Sequence, residues 1–381
     1  MFWRCLFLNV LIILLSNCGQ RKISPQSPLD TAENHYRRGM ARFESGDLRA
    51  AQSEFERAHA LNENYPGVYV GRGLVAMEQQ DFWRARKEIE QAIHKDGNFI
   101  EAYIARGRII AEEGVQRNYP TEEWLKEALA AYRKAREKDP DNPAIFYREG
   151  LTYLQALKLK EARATLTKVL EINRGDWVEK AMLEIEKIQM IERAAPGTRA
   201  GLKIGLVERI SRAELAILLL EELKLTDLVT RRGGREKLHG FRPRGVDAEP
   251  GPVPKDVTHS WARHWIEEIL ALGVPGLEVY PDSSFQPDKA ITRASYALVN
   301  QGILILLSGD ASLATKYFGE TTRFPDVRSD SYAYNAIALN TERGIMAADK
   351  LTGRFRPNDT VSGAEALLII RELQNAFRME F

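Results

Sequence analysis

Few side chains in this sequence are placed to do covalent chemistry. The two cysteines are Cys5 and Cys18, so nothing after residue 18 can contribute a disulfide, a thiolate metal site or a thiol nucleophile. The six histidines, His35, His59, His94, His239, His259 and His264, are scattered, with no His-Glu-x-x-His helix among them and no glycine-rich loop behind a predicted strand. His259 and His264 lie five apart, on different faces of one helix, where packing or solvent contact is their expected role. No residue set nominates an active site, so the sequence predicts a protein that is not an enzyme and has no metal and no cofactor. Recognition chemistry is better represented. An aromatic and an arginine recur together as Tyr36 and Arg37, Tyr69 and Arg72, Tyr103 and Arg106, and Tyr147 and Arg148. A guanidinium beside a ring suits acidic or aromatic segments. The same pairs also suit ordinary helix packing.

The elements that hold these residues must be several. A chain of 381 residues exceeds one ordinary core and predicts two or three domains. With 44% hydrophobic and 28% charged residues and a formal net charge of +1, the composition is that of a globular protein, and no global field selects nucleic acid as a partner.

The chain starts MFWRCLFLNVLIILLSNCGQ: Arg4, then a run from Leu6 to Leu15 that is apolar except for Asn9. This run is shorter than the roughly 20 residues a bilayer span needs, and it has the length of a secretory signal core. Leu15-Ser16-Asn17-Cys18 resembles the bacterial lipobox, although Asn17 departs from the usual small residue before the cysteine. The resemblance implies a signal peptide over residues 1–17, lipidation at Cys18 and membrane attachment through more than one acyl chain, which makes attachment stable. A plain cleaved signal and an uncleaved anchor are the other readings, and all three export the body of the chain. Gly19 after the cysteine, with no aspartate there, leans towards an outer membrane facing the periplasm. Residues 18–31 then read as a flexible linker.

From residue 32 a period appears. A small residue, an apolar one and another small one recur as Ala51, Phe55 and Ala58, then Ala85, Ile89 and Ala92, then Ala128, Tyr132 and Ala135, and finally Ala162, Leu166 and Val169. The first and last steps are 34 residues and the middle one 43, an insertion of nine. Gly39, Gly73 and Gly150 each stand twelve residues ahead of their alanine, whereas Gly107 stands 21 ahead of Ala128, which places the insertion in or near residues 112–121. Gly46-Asp47 supplies a turn, and Asp139-Pro140 ends the third unit. The array resembles the tetratricopeptide repeat. That resemblance implies four helical hairpins over residues 32–194, closed by an amphipathic helix from Asp176 to Ala194, with a concave groove for protein or peptide partners. The aromatic–arginine pairs would line this groove.

After Ala195 the composition shifts and the 34-residue period ends. Pro254-Lys255-Asp256-Val257, Trp261-Ala262, Gly273-Val274, Phe285, Pro287 and Ile291-Thr292-Arg293-Ala294 follow one another in the same order as Phe324-Pro325-Asp326-Val327, Tyr334, Gly344-Ile345, Phe355, Pro357 and Val361-Ser362-Gly363-Ala364-Glu365. A third copy shows only its end, Ile210-Ser211-Arg212-Ala213-Glu214. Asp256 and Asp326 are 70 residues apart, with an apparent insertion between Ser308 and Thr321. This order resembles the S-layer homology module. The resemblance implies a domain over residues 195–381 with a degenerate first module, a second at about 252–305 and a third at about 322–376, binding a cell-wall glycopolymer or peptidoglycan. Arg212 and Arg293 match the family's motif arginine, which would stand at a helix N-terminus suited to an anion. Gly363 occupies that place in the third copy, which implies a lost anion ligand, and Ser295 replaces the motif glutamate in the second. Thr292, Ser211 and Ser362 read as N-caps. Asp256 and Asp326 either position the saccharide site or cap a turn. Residues 230–244 carry six basic side chains against one acid, a solvated loop or a contact for anionic polymer.

The expected fold class is therefore mainly α: a solenoid, then an α-rich domain with short loops and strands. The expected function is an envelope-anchored adaptor that binds protein through the solenoid and wall polymer through the modules, with no nucleic acid. The alternative is an assembly or secretion-machinery lipoprotein whose modules are structural only. If Cys18 is the lipidated residue, Cys18→Ser moves the protein from the membrane to the soluble fraction on cell fractionation; unchanged membrane partition rules the lipobox out.

Overall fold

The computed structural model describes residues 24–231 and 253–380. Both cysteines, the lipobox-like residues 15–18 and most of the basic segment lie outside them. The chain divides into two units at Ala181.

The first unit is built from four helical hairpins: α1 (Ala32–Glu44) with α2 (Leu48–Leu61), α3 (Pro66–Glu78) with α4 (Phe82–Lys95), α5 (Ile100–Gln116) with α6 (Thr121–Arg136), and α7 (Pro143–Gln155) with α8 (Leu159–Ile172). Thr31, Asp47, Asp81 and Asn142 cap helix starts with side-chain oxygens, and Pro66 and Pro143 open α3 and α7, where a missing N–H costs nothing. A left-handed residue sits in the bend of every hairpin: Gly46, Gln80, Asn118 and Leu157. Each small–apolar–small triplet falls on the second helix of its hairpin and is buried. The landmark glycines answer it from the first helix. A Cβ at Gly39 would meet the Phe55 ring at 2.4 Å, one at Gly107 the Tyr132 ring at 2.6 Å and one at Gly150 the Leu166 side chain at 2.7 Å. Glycine thus lets the paired backbones close on the bulky middle residue of the triplet.

The nine-residue insertion is absorbed without disturbing this pairing. The landmark glycine remains the eighth residue of its helix in all four hairpins, but α5 runs to 17 residues where α1, α3 and α7 have 13. Ala128 is the eighth residue of α6, whereas Ala51, Ala85 and Ala162 are the fourth residues of theirs. One helical turn is therefore added on each side of the bend, with one further residue in the bend itself. Gly114 and Trp124 repeat the contact inside the extension, where a Cβ on Gly114 would lie 2.3 Å from the indole.

The end of the segment expected as a spacer is tied down instead. Asp30 is buried, contacts the His35 ring at 2.7 Å and pairs with Arg57 of α2, and these donors hold its carboxyl well below the usual carboxylate range. The helix expected to cap the array is α9 (Trp177–Ala194), and the division between units falls inside it. Trp177 packs on Tyr147, 5.3 Å between ring centroids, within the first unit. In the second unit Lys187 pairs with Glu208 at 2.6 Å, and Ile191 lies against Gly205.

The second unit continues through α10 (Arg199–Gly205), α11 (Arg212–Glu221), α12 (Leu225–Arg231), α13 (Arg263–Leu272), α14 (Arg293–Ser308), a 3-10 turn at Ala311–Ala314, α15 (Tyr334–Glu342) and α16 (Gly363–Glu380). Among the described residues, the short strands expected here reduce to two isolated bridges, Ser211 with Ala290 and Thr292 with Thr360. Three equivalent residues close a ring. The Ile291 amide donates to the Ile210 carbonyl (2.9 Å), the Val361 amide to the Ile291 carbonyl (3.0 Å), and the Ile210 amide back to the Val361 carbonyl (2.9 Å). All three side chains are buried. The insertion after Ser308 is pinned by buried amides, since Gln301 and Asn335 both donate to the Leu313 carbonyl (3.3 and 2.8 Å).

Position 363 has a packing cause that the motif comparison alone does not show. A Cβ there would lie 1.6 Å from the Ile204 carbonyl oxygen at the end of α10, and the Gly363 amide donates to the Val207 carbonyl at 2.8 Å. The degenerate first module thus presses its backbone onto the start of α16. Gly363→Ala should destabilise the second unit by about 3 kcal/mol, because a backbone oxygen cannot swing aside. Urea unfolding followed by circular dichroism checks this, and an unchanged midpoint would refute it.

Candidate functional site

Two surfaces compete for the functional role, one in each unit. In the first, the four aromatic–arginine pairs occupy two different registers. Tyr69 and Tyr103 are the fourth residues of their helices and Arg72 and Arg106 the seventh, while Tyr36 and Tyr147 are fifth and Arg37 and Arg148 sixth. The first register ties consecutive hairpins together. The Tyr69 hydroxyl donates to the Glu63 carbonyl (2.7 Å) and the Tyr103 hydroxyl to the Gly97 carbonyl (3.0 Å); Arg72 pairs with Glu56 and Arg106 with Glu90 of the preceding second helix. Every one of these contacts recurs one 34-residue period later, which is structural use of the pair. Tyr36 does not line a groove either. It is buried edge-on against Tyr65 (5.8 Å) and Phe99 (6.3 Å), and burial pushes its hydroxyl far above the usual tyrosine range. Arg37 is exposed and donates to the Asn34 side chain.

Arg148 behaves differently. Its Nη2 donates to Glu44 Oε1 of α1 at 2.6 Å, across 104 residues of sequence, and its guanidinium lies over Tyr147 at 5.6 Å. Arg108 of α5 faces the same carboxylate oxygen at 3.9 Å and lies over the Phe43 ring at 5.6 Å. Arg108 falls at no repeated position; Glu44 does, with Glu78 and Glu112 after it at 34-residue steps, but that spacing does not say which arginine it meets. Burial and the neighbouring Arg148 charge pull the Arg108 guanidinium down to about 10.

In the second unit the motif arginines are building elements. Arg212 is buried; its Nε donates to the Phe285 carbonyl (2.8 Å), Nη1 to Gly276 (3.0 Å) and Nη2 to Glu278 (2.8 Å), with the Tyr280 and Phe285 rings on either side. Arg293 repeats this one module on: Nε donates to the Phe355 carbonyl (2.8 Å), Nη2 to Ala347 (2.7 Å) and Nη1 to Glu365. Each arginine plugs into the loop of the following module. In the structure main-chain carbonyls occupy the Arg212 fork, and carbonyls with the Glu365 carboxylate occupy that of Arg293. Asp256 holds the far end of the receiving loop, accepting from the Phe285 (3.0 Å) and Gln286 (2.7 Å) amides, and Asp326 does the same for Phe355 (2.9 Å) and Arg356 (2.7 Å). Thr292 accepts from the Ser295 amide (3.2 Å) as the N-cap of α14. All five residues assigned to saccharide binding thus have structural partners.

What remains outward on these modules is aromatic. Trp261 and Tyr332 each stand immediately before the N-cap of α13 or α15, and they are 64% and 79% exposed. They are equivalent places on two modules, and a flat exposed ring is the kind of surface that packs on a sugar face. Their signal in the sequence is weak because the spacing from Asp256 and Asp326 differs by one residue. At the third seam, a cavity of about 320 Å³ is lined by Thr198, Glu222, Lys224, Arg371 and Gln374. The Glu222 carboxylate there already accepts from the Gly197 (2.8 Å) and Thr198 (2.9 Å) amides. Among the described residues no group of His, Cys, Asp and Glu could hold a metal ion.

Comparison with known families agrees with this division. Residues 36–98 and 123–183 match models of the tetratricopeptide repeat. Residues 255–297 and 323–367 match the S-layer homology domain. No curated protein matches the chain. Among solved structures, a thermophilic TPR protein of Thermus thermophilus is 19% identical, with 52% of this chain and 96% of that one covered and a TM-score of 0.36. The pilF protein of Pseudomonas aeruginosa is 17% identical over 55% and 91%, with a TM-score of 0.33. YrrB, a TPR protein described as having an unusual peptide-binding site, is 18% identical over 46% and 97%, with a TM-score of 0.21.

Removing the Arg293 fork strands the carbonyl of buried Phe355, the more exposed Ala347 carbonyl and the half-buried Glu365. Arg293→Ala should cost about 3–5 kcal/mol, and Arg293→Lys should recover little of it, because an ammonium cannot span the fork. Thermal unfolding of the full chain checks this; a lysine variant as stable as the parent would show that the fork geometry is not needed.

Proposed function

We propose that this protein is an exported adaptor of the cell envelope, lipid-anchored through Cys18, whose solenoid holds a protein partner while its S-layer homology modules hold wall polymer. The single observation behind this reading is that one chain joins tetratricopeptide repeats, which serve protein–protein interaction, to S-layer homology domains, which serve cell-wall binding. The exposed rings of Trp261 and Tyr332 support a saccharide contact, since Arg212 and Arg293 are engaged within the domain and a flat exposed ring can stack on a sugar face. The partner side rests on the repeat array itself, a class of structure that holds protein or peptide segments.

A second reading has its own observation. Arg212, Arg293, Asp256 and Asp326 are all consumed by contacts within the domain, and Gly363 is taken up by packing. On that reading the modules are a scaffold and the solenoid, serving envelope assembly or secretion, is the effector.

Sedimentation separates the two. The full chain carrying Cys18→Ser, to keep it soluble, is mixed with purified wall sacculi and pelleted. The adaptor reading expects co-sedimentation, weakened about tenfold (about 1.4 kcal/mol) by the Trp261→Ala/Tyr332→Ala pair. If the unmutated surface stays in the supernatant, wall binding is lost as a function and the scaffold reading stands.

A further inference from the structure

We propose that the cavity at the seam of the first and third modules binds a small zwitterion. Its ligand is an amino acid or a short peptide bearing both a free ammonium and a free carboxylate. The site lies within the second unit and stands apart from the motif arginines. Arg371, on its wall, is eight residues beyond Gly363 in α16, about 12 Å along the axis at roughly 1.5 Å per residue.

The space has a cause in the degenerate module. In the second module Trp261 and Trp265 stand one residue before and three residues after the N-cap Ala262. The first module has its N-cap at Thr198, and the same two places hold Gly197 and Gly201. Two indoles are thus absent from this seam. The Glu222 carboxylate takes up the place beside Gly201, where a Cβ would collide with it, and the Gly197 and Thr198 amides hold it there at 2.8 and 2.9 Å. A Cβ at Gly197 would meet only ordinary contact, 3.9 Å from Glu222 Oε2. Gly197 therefore borders open space, a cavity of about 320 Å³. Ligand pockets span about 300–1,000 Å³, so this one suits a molecule of about one or two amino-acid residues.

The lining carries both signs and leaves part of each uncommitted. Leu367, Ile370, Arg371 and Gln374 follow one another at helical spacing and present one face of α16. Among the described residues, no hydrogen bond or ion pair engages the Arg371 guanidinium. The Lys224 ammonium is 3.8 Å from Glu221 Oε2, beyond hydrogen-bond reach. Glu221 Oε1 accepts from the Trp265 indole at 3.0 Å, which leaves Oε2 available. A fork and an ammonium thus remain for a carboxylate, and one carboxylate oxygen remains for an ammonium. Glu222 adds no further acceptor of this kind, because two amides and the Thr198 hydroxyl occupy its oxygens. Lys224 and Arg371 balance Glu221 and Glu222, so a ligand of single charge would leave one sign unanswered. Leu367 and Ile370 supply the apolar part of the lining, fit for a short aliphatic side chain.

Isothermal titration calorimetry on the full chain carrying Cys18→Ser tests this with alanine and dialanine, each in L and D form. Their N-acetyl and C-amide derivatives, which lack one charge each, are the counterparts. Alanine or dialanine should bind, and either derivative should bind about tenfold more weakly. Arg371→Gln should weaken binding about tenfold and erase the distinction between the free acid and its amide. Glu221→Gln, which keeps an acceptor for Trp265, should erase the distinction between the free and the acetylated amine. Each variant retains the other distinction, which shows that the cavity is still folded. Binding of alanine alone names a free amino acid as the ligand, and binding of dialanine names a peptide with both ends free; both support the site. Binding of no probe, equal binding of the blocked derivatives, or variants that keep both distinctions overturn the proposal. None of these results bears on sedimentation with sacculi, so the adaptor reading stands or falls separately.

Discussion

Backbone approach at glycine is the constraint on which both units depend. A tetratricopeptide hairpin offers two narrow apolar stripes, and a single module buries too little surface to close a core. Each must be sealed by a partner segment coming close. Gly39, Gly107 and Gly150 allow this by admitting the rings or branched chain of Phe55, Tyr132 and Leu166 into the helix surface opposite. Gly363 allows it at the seam where the third module meets α10, with a carbonyl oxygen in the space a methyl group would need. The same limit explains why the nine-residue insertion arrives as two helical turns and a bend residue. Anything else would have moved Gly107 off Tyr132.

The three-way exchange among Ile210, Ile291 and Val361 shows how a degenerate module can persist. Its front is shortened, yet it still supplies one donor and one acceptor to the ring, and without them the other two copies would keep buried main-chain groups unpaired. Arg212 and Arg293 extend the exchange outward, each bracing the loop of the following module through its carbonyls. A motif arginine in such a ring therefore has work to do before any ligand arrives. That is the physical reason the outward surface of these modules is marked by Trp261, which rests edge-on against Trp265, and by Tyr332, both of which stay largely exposed.

In the solenoid, a similar sorting separates contacts that recur from contacts that do not. Contacts that recur every 34 residues, such as Tyr69 to Glu63 and Tyr103 to Gly97, hold hairpin to hairpin. Charged contacts that do not recur include Glu44 with Arg148 and Arg108, Asp30 with Arg57, and Arg86 with Glu113.

By itself the sequence determined the repeat architecture, the location of the insertion, the order of landmarks in the C-terminal modules and the mainly helical fold. These are legible because they are local: a glycine, a triplet of sizes, a cap or a proline acts within its own hairpin, and its spacing survives in one dimension. Tertiary structure decided which of the conspicuous residues are free. Tyr36 looks like a groove aromatic and is buried under Tyr65 and Phe99. Arg212 and Arg293 look like anion ligands and are filled by carbonyls 54 to 73 residues away in the chain. Glu44 and Arg148, separated by 104 residues, carry no mark of their meeting. Residue type states what a side chain can bind; which partner reaches it first depends on long-range closure, and spacing along the chain does not encode that.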